Sequence, residues 1–116
     1  MNIGTWHKPL ASRYVSLEHA MVVGTCELLF QLPENHSLKG KRQVSRSIVQ
    51  RIRSRFNVSV AEVSELDRWQ TLAIGVTCAT NDGRHANEIM SKVVDFAEDH
   101  NGGAVLYRHR IEILRT

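Results

Sequence analysis

At 116 residues, 42% hydrophobic and 23% charged, with a formal net charge of +3, the chain has the length of one domain with a modest core. No stretch approaches the roughly 18 apolar residues of a membrane span, and the first residues lack the apolar run of a secretory signal. Cys26 and Cys78 are the only two cysteines and have no metal-type spacing, so reduced thiols and a cytoplasmic location are expected.

Residues 1–20 show no sustained period. They read as an N-terminal extension, disordered in part, ahead of a single domain over 21–116. A short docking segment using Trp6 and Tyr14 is the alternative. From Val22 to Leu32 the pattern alternates: Val22, Cys26, Leu28, Phe30 and Leu32 share one face, and Thr25, Glu27 and Gln31 the other. This predicts a half-buried strand, broken by Pro33 and Asn35. Ser37 is a plausible N-cap for a helix to about Phe56, with an apolar stripe of Leu38, Val44, Ile48, Val49, Ile52 and Phe56.

Val58 to Val63 is rich in β-branched residues and predicts a second strand. Residues 65–70 form a polar connection. Leu72, Ile74, Val76 and Cys78 alternate with small residues in a third strand. Asn81, Asp82 and Gly83 turn into a second helix, capped by Asn81 or Asp82, that buries Ala86, Ile89, Met90, Val93 and Ala97. Asn101, Gly102 and Gly103 stop it. A last strand over 104–114 is expected to face Val105, Tyr107, Ile111 and Ile113 inward, and Arg108, Arg110 and Glu112 outward.

The order strand, helix, strand, strand, helix, strand gives two helices that must cover one side of a four-stranded sheet. Right-handed crossovers favour an α+β, ferredoxin-like βαββαβ fold, antiparallel, with the first and third strands central. The outward face of the third strand is small (Ala73, Gly75, Thr77, Ala79) and adjoins Val23 and Leu29. That face is expected to be covered by a second subunit, making a homodimer, or by the extension.

Charge is the most informative feature. Between His36 and Phe56 stand Lys39, Lys41, Arg42, Arg46, Arg51, Arg53 and Arg55, with no acidic residue. The rest of the chain sets 8 Lys+Arg against all 12 Asp+Glu, so it nets −4 beside a +7 segment. At about 100° per residue, Arg42, Arg46 and Arg53 share a narrow wedge with Lys39 beside it, and Arg51 and Arg55 form an i, i+4 pair on the opposite flank. Arginine suits phosphate because its planar fork makes two parallel hydrogen bonds. Cations in a first helical turn cost roughly 0.3–1 kcal/mol each at low salt, which fits an end awaiting an anion. His36 and Ser37 adjoin that end. Gly40 would permit close approach, although it weakens the helix by about 1 kcal/mol relative to Ala. The candidate RNA- or anion-binding set is therefore His36, Ser37, Lys39, Lys41, Arg42, Arg46 and Arg53, with Arg51, Arg55, Trp69 and Asn81 as contributors. The bland alternative is a solubilising face, with some arginines paired to carboxylates of the second helix or of residues 62–67.

Other signals point away from catalysis. His36, His85, His100 and His109 lack ligand spacing, so no metal is expected. No phosphate-binding glycine loop occurs, so no nucleotide cofactor is expected. No nucleophile–base pair is visible. Cys26 and Cys78 read as buried hydrophobes sooner than a redox pair.

The runs HSLKGKR at 36–42 and RFNVSVAEV at 55–63, with Trp69 and Asn81–Asp82, resemble the YlxP-like bacterial family, domain of unknown function 503. The resemblance spans about residues 21–114 and leaves the first 20 without a counterpart. It implies a ferredoxin-like fold, no established activity and no catalytic residues. Its genes often lie beside those for translation initiation and ribosome-binding factors, which implies a role near RNA or the ribosome. The expected function is a non-enzymatic RNA-binding or ribosome-associated module working through phosphate contacts of the basic helix. The alternatives are a homodimeric protein-interaction module, and an acylphosphatase-like enzyme in which Asn81 and Lys41 or Arg42 handle phosphate.

Overall fold

A computed structural model describes residues 21–116; the readings made for 1–20 lie outside them. The elements follow as β1 (Val22–Gln31), α1 (Leu38–Arg55), β2 (Ser59–Ser64), β3 (Thr71–Thr80), α2 (Gly83–Asp99) and β4 (Val105–Arg115). The sheet is antiparallel throughout, in the order β2-β3-β1-β4. The first and third strands are central and both helices lie on one face, which is the ferredoxin-like arrangement read from the element order.

Each helix begins where its sequence says. Ser37 caps α1, its Oγ accepting from the N–H of Gly40 at 3.0 Å. Asp82, not Asn81, caps α2, its Oδ1 accepting from the N–H of Arg84 at 3.0 Å. Past α2, Gly102 and Gly103 take φ values of 64° and 93°, a left-handed turn that favours glycine. The core joins Val22, Cys26, Leu28 and Phe30 of β1 to Leu72, Ile74 and Val76 of β3, closed by Ile48 and Ile52 of α1 and by Ala86, Met90, Val93 and Ala97 of α2. Gly24 is a packing requirement. A Cβ there would stand 3.0 Å from Cys78 Sγ and 3.2 Å from Ala86 Cβ, so its absence lets α2 approach the sheet.

The last strand corrects the expected alternation. Leu29 pairs with Arg108, but Phe30 pairs with Leu106, so Tyr107 is an inserted bulge residue. A bulge places two residues opposite one and reverses the facing beyond it. Leu106 therefore packs on the core with Ile111 and Ile113, while Val105 and Tyr107, expected inward, are 52% and 48% exposed. A second bulge, at Val63, interrupts β2 between Glu62 and Ser64. Both edge strands thus carry the irregularity that discourages sheet-to-sheet pairing.

Cys26 and Cys78 are free and buried on the helix side of adjacent strands. Burial, helped by the neighbouring Glu27, pushes the Cys26 thiol up to about 12 from an ordinary value of 9.0. Below pH 9 both folded and unfolded chains hold that proton. As pH rises towards 12, only the unfolded chain ionises, and folding stability falls. Urea unfolding between pH 8 and 11 should show wild type losing stability with pH more steeply than Cys26→Ala; parallel curves would contradict the shift. In the same assay at pH 7, Gly24→Val should cost about 1–3 kcal/mol by overpacking.

Candidate nucleic-acid interface

The basic helix does not present all its cations. Ile48 and Ile52 fix which face of α1 is buried, and the same helical row runs back through Ser45 to Lys41. Lys41 is consequently 1% exposed. Its Nζ lies 3.2 Å from Glu62 Oε2 and also donates to the carbonyl of Glu65. Ser45 Oγ donates to Glu62 Oε1 at 2.9 Å. Glu62 pairs in register with the buried Ile74, so its carboxylate points to the helix side of the sheet. Glu65 supplies its carbonyl from a left-handed backbone position, φ 58°, a cost of roughly 1–2 kcal/mol for a residue with a Cβ. Lys41 is therefore a structural pin between α1 and the β2 edge, and its place in an anion site is corrected.

Two other expected members, Ser37 and Asn81, are committed elsewhere, and Gly40 does not open a ligand space. The Ser37 hydroxyl is used by the cap. Gly40 makes room for the Asn35 side chain, whose Oδ1 occupies the space a Cβ would need, and not for a ligand. Asn81 follows Thr80, which pairs with Val22, whereas α1 starts beyond Gln31, which pairs with Thr71. Ten residues of strand, about 30 Å, separate the two ends. Asn81 cannot join the start of α1, and the acylphosphatase-like convergence with Lys41 or Arg42 does not form.

The remaining cations are on the surface. Among the described residues, none of Lys39, Arg42, Arg46, Arg51, Arg53 and Arg55 forms an ion pair with a carboxylate; the pairs present involve Lys41, Arg68 and Arg110. Arg53 and Arg55 are held in part by neighbours. Arg53 donates to the carbonyl of Val60 at 3.0 Å, and the Arg55 guanidinium lies 6.0 Å from the Phe96 ring centre. These contacts place one basic row along the β2 side and the other towards α2. Between them runs a shallow groove of about 600 Å³ lined by Gln43, Arg46, Ser47, Gln50, Arg51 and Ser54. Its lining is uncharged and polar apart from one arginine of each row, Arg46 and Arg51, which suits an anionic backbone laid along the helix.

At the head of the helix, His36, Lys39 and Arg42 are exposed. The connection before β3 is tied to this point. Asn35 Nδ2 donates to the carbonyls of Ser37 and Trp69, at 2.8 and 2.5 Å. Gln70 Nε2 donates to those of Pro33 and Asn35. Trp69 is 53% exposed.

The open sheet face offers a different chemistry. Its central strands present Val23, Thr25, Glu27, Leu29 and Gln31 against Thr71, Ala73, Gly75, Thr77 and Ala79, none of them aromatic; Phe30 of β1 is buried on the helix side. Recognition by base stacking on two central strands, as in RRM domains, has no platform here. Arg110 bridges Glu27 and Glu112 at 2.7 and 3.5 Å, and that hydrogen bond and charge raise its pKa. Among the described residues no group of three or more His, Cys, Asp or Glu could hold a metal ion, and no helix is long and apolar enough to cross a membrane.

Residues 23–110 match the family described as Protein of unknown function (DUF503). The chain belongs to this family. It is also similar to the uncharacterized protein YlxP of Bacillus subtilis (strain 168), at 27% identity over 77 residues, covering 66% of this chain and 84% of the relative. Among solved structures, the de novo designed protein Foldit4 matches at TM-score 0.50 and 11% identity, covering 83% of this chain and 98% of that one. The designed Ferredog-Diesel lies further off, at TM-score 0.42 and 14% identity over 78% of this chain and 83% of its own. The Foldit4 likeness supports the fold alone. DUF503 membership assigns no activity, so function must be argued from the surface of α1.

Sequence reading set carboxylates of 62–67 against arginines of the helix and missed that Glu62 is taken by Lys41 and Ser45. The signal was present: residues 41, 45, 48 and 52 repeat at helical spacing, and Glu62 alternates with Val60. Removing one member of a buried pair strands the other charge, at about 3–5 kcal/mol. Glu62→Ala should lose that much in denaturant unfolding, while Lys41→Met combined with Glu62→Leu should recover most of it. A Glu62→Ala loss below 1 kcal/mol would remove the structural role.

Proposed function

We propose that this DUF503 chain is a non-enzymatic RNA-binding or ribosome-associated module whose contact surface is the outer side of α1. The observation that carries this reading is the set of six surface cations on one helix, Lys39, Arg42, Arg46, Arg51, Arg53 and Arg55, none paired with a carboxylate among the described residues. An acid-free helix carrying this many basic groups repels itself, and an incoming polyphosphate relieves that repulsion while releasing counterions. The association with translation-factor genes implied by family resemblance favours RNA as the polyanion. Contacts are mainly to phosphate, so sequence preference is weak and salt dependence steep.

Arg42→Glu, Arg46→Glu and Arg51→Glu together should abolish retention of RNA by the full chain, while Arg84→Glu with Arg108→Glu, on other elements, should leave it nearly intact. For about five phosphate contacts to a single strand, log K should fall against log salt with a slope of about −3.5. Unchanged binding by the triple variant would overturn the reading.

A homodimer through the open sheet face is a second and compatible reading. It is favoured by the exposed Leu114, which pairs with Val23, itself paired with Ala79, in an apolar row across one end of that face. Light scattering should return twice the monomer mass, and Leu114→Lys should halve it; a monomeric wild type would exclude this mode.

A further inference from the structure

We infer that the head of α1 and the 65–70 connection form one site for single-stranded nucleic acid, in which a base stacks on Trp69 and the adjoining phosphates meet Lys39 and Arg42. This rests on the reading of α1 as an RNA-binding surface and adds which form of nucleic acid it takes.

The first support is the aromatic itself. Trp69 is half exposed, although a tryptophan gains more from burial than almost any other side chain. Among the described residues the aromatic pairs and the cation–π contact involve Phe56, Phe96, His100 and Arg55, and none includes Trp69. About half of its surface is therefore open, and among the described residues it stacks on no ring or guanidinium.

The second support is rigidity. A solvent-facing loop tryptophan would ordinarily be mobile, and ordering it on binding would weaken the complex. Here the backbone is fastened on both sides. Leu32 N–H donates to the carbonyl of Gln70 at 2.9 Å, the amide groups of Asn35 and Gln70 each make two hydrogen bonds across the junction, and Lys41 holds Glu65. Both N–H groups of Asn35 are spent joining the start of α1 to Trp69. The backbone that carries the aromatic is thereby held at the head of α1.

The third support is local charge. Two carboxylates near Trp69 are neutralised: Arg68 Nε pairs with Glu65 at 2.9 Å, and Glu62 is taken by Lys41; Glu34, exposed before Asn35, has no such partner among the described residues. Asp67 has no such partner among the described residues and lines the depression of about 490 Å³ beside Trp69 with Arg68, Gln70 and Thr71. A bound backbone is accordingly drawn to Lys39 and Arg42 and repelled by Asp67.

Strandedness follows from geometry. Bases in a duplex are stacked on each other and offer no free π-face, whereas single-stranded bases can be splayed onto an aromatic. Stacking on one residue is tolerant of base identity, matching a surface that otherwise reads only phosphate.

The test uses the full chain carrying Trp6→Phe, so that Trp69 alone fluoresces, titrated with a ten-nucleotide single-stranded RNA, the same sequence as DNA, and a blunt RNA duplex of equal length. Single strands should quench Trp69 and bind more tightly than the duplex. Trp69→Ala should weaken single-strand binding about 10- to 100-fold and leave duplex binding unchanged, with Trp69→Phe retaining most of the affinity. Equal quenching by RNA and DNA supports a site that reads base and phosphate; stronger quenching by RNA supports one that also reads the 2′-hydroxyl. Absence of quenching on bound single strands, or unaltered affinity in Trp69→Ala, overturns this inference while RNA binding lost in the arginine triple variant still upholds the broader reading. No binding of any probe overturns both. If Trp69→Ala does not fold by circular dichroism, quenching and the Trp69→Phe affinity decide.

Discussion

Lys41 is buried in a helix that has no carboxylate of its own, so its charge must be answered from another element. Glu62 answers it from the inward face of an edge strand, Ser45 fills the second carboxylate oxygen, and the Glu65 carbonyl takes a further donor position. A buried ion pair adds little net stability over apolar residues of the same size. What it adds is position. The pair ties the first turns of α1 to β2 and to the connection that follows, and only in that docking do the other cations face outward.

The surface follows from that constraint. With the 41, 45, 48, 52 row turned to the core, Gln43, Ser47, Gln50 and Ser54 fall opposite, and arginines fall on either side. The charge density is therefore neither uniform nor internally compensated. It forms two basic rows with a neutral strip between them, and its head lies beside the fastened backbone of the connection carrying Trp69. The unfavourable placement of Lys39 and Arg42 against their own helix dipole is tolerated because Ser37 satisfies Gly40 and because solvent screens both side chains.

Much of this was legible in residue order. The period of two in β1 and β3, the Ser37 cap and the glycine stop after α2 lead directly to βαββαβ, and burial in the structure follows the same residues. The two basic rows were also legible as helix angles. Tyr107 was not, because a bulge adds one residue to one strand and depends on the partner strand; alternation read along β4 alone cannot detect it. Lys41 was misread for a related reason. A charged residue at a core position looks like surface until its counter-ion is known, and Glu62 lies 21 positions further along the chain.

The sequence by itself determined the element order, the antiparallel sheet with helices on one face, and the confinement of positive charge to one helix, because each depends on local periodicity, capping and composition. Tertiary structure alone decided which cations are free. It withdrew Lys41, committed Ser37 to its cap, removed Asn81 to the far end of the sheet, and brought Trp69 to the head of α1. Each of those outcomes depends on contacts between residues distant in the chain, where burial and counter-charge, not residue type, set what a side chain can do.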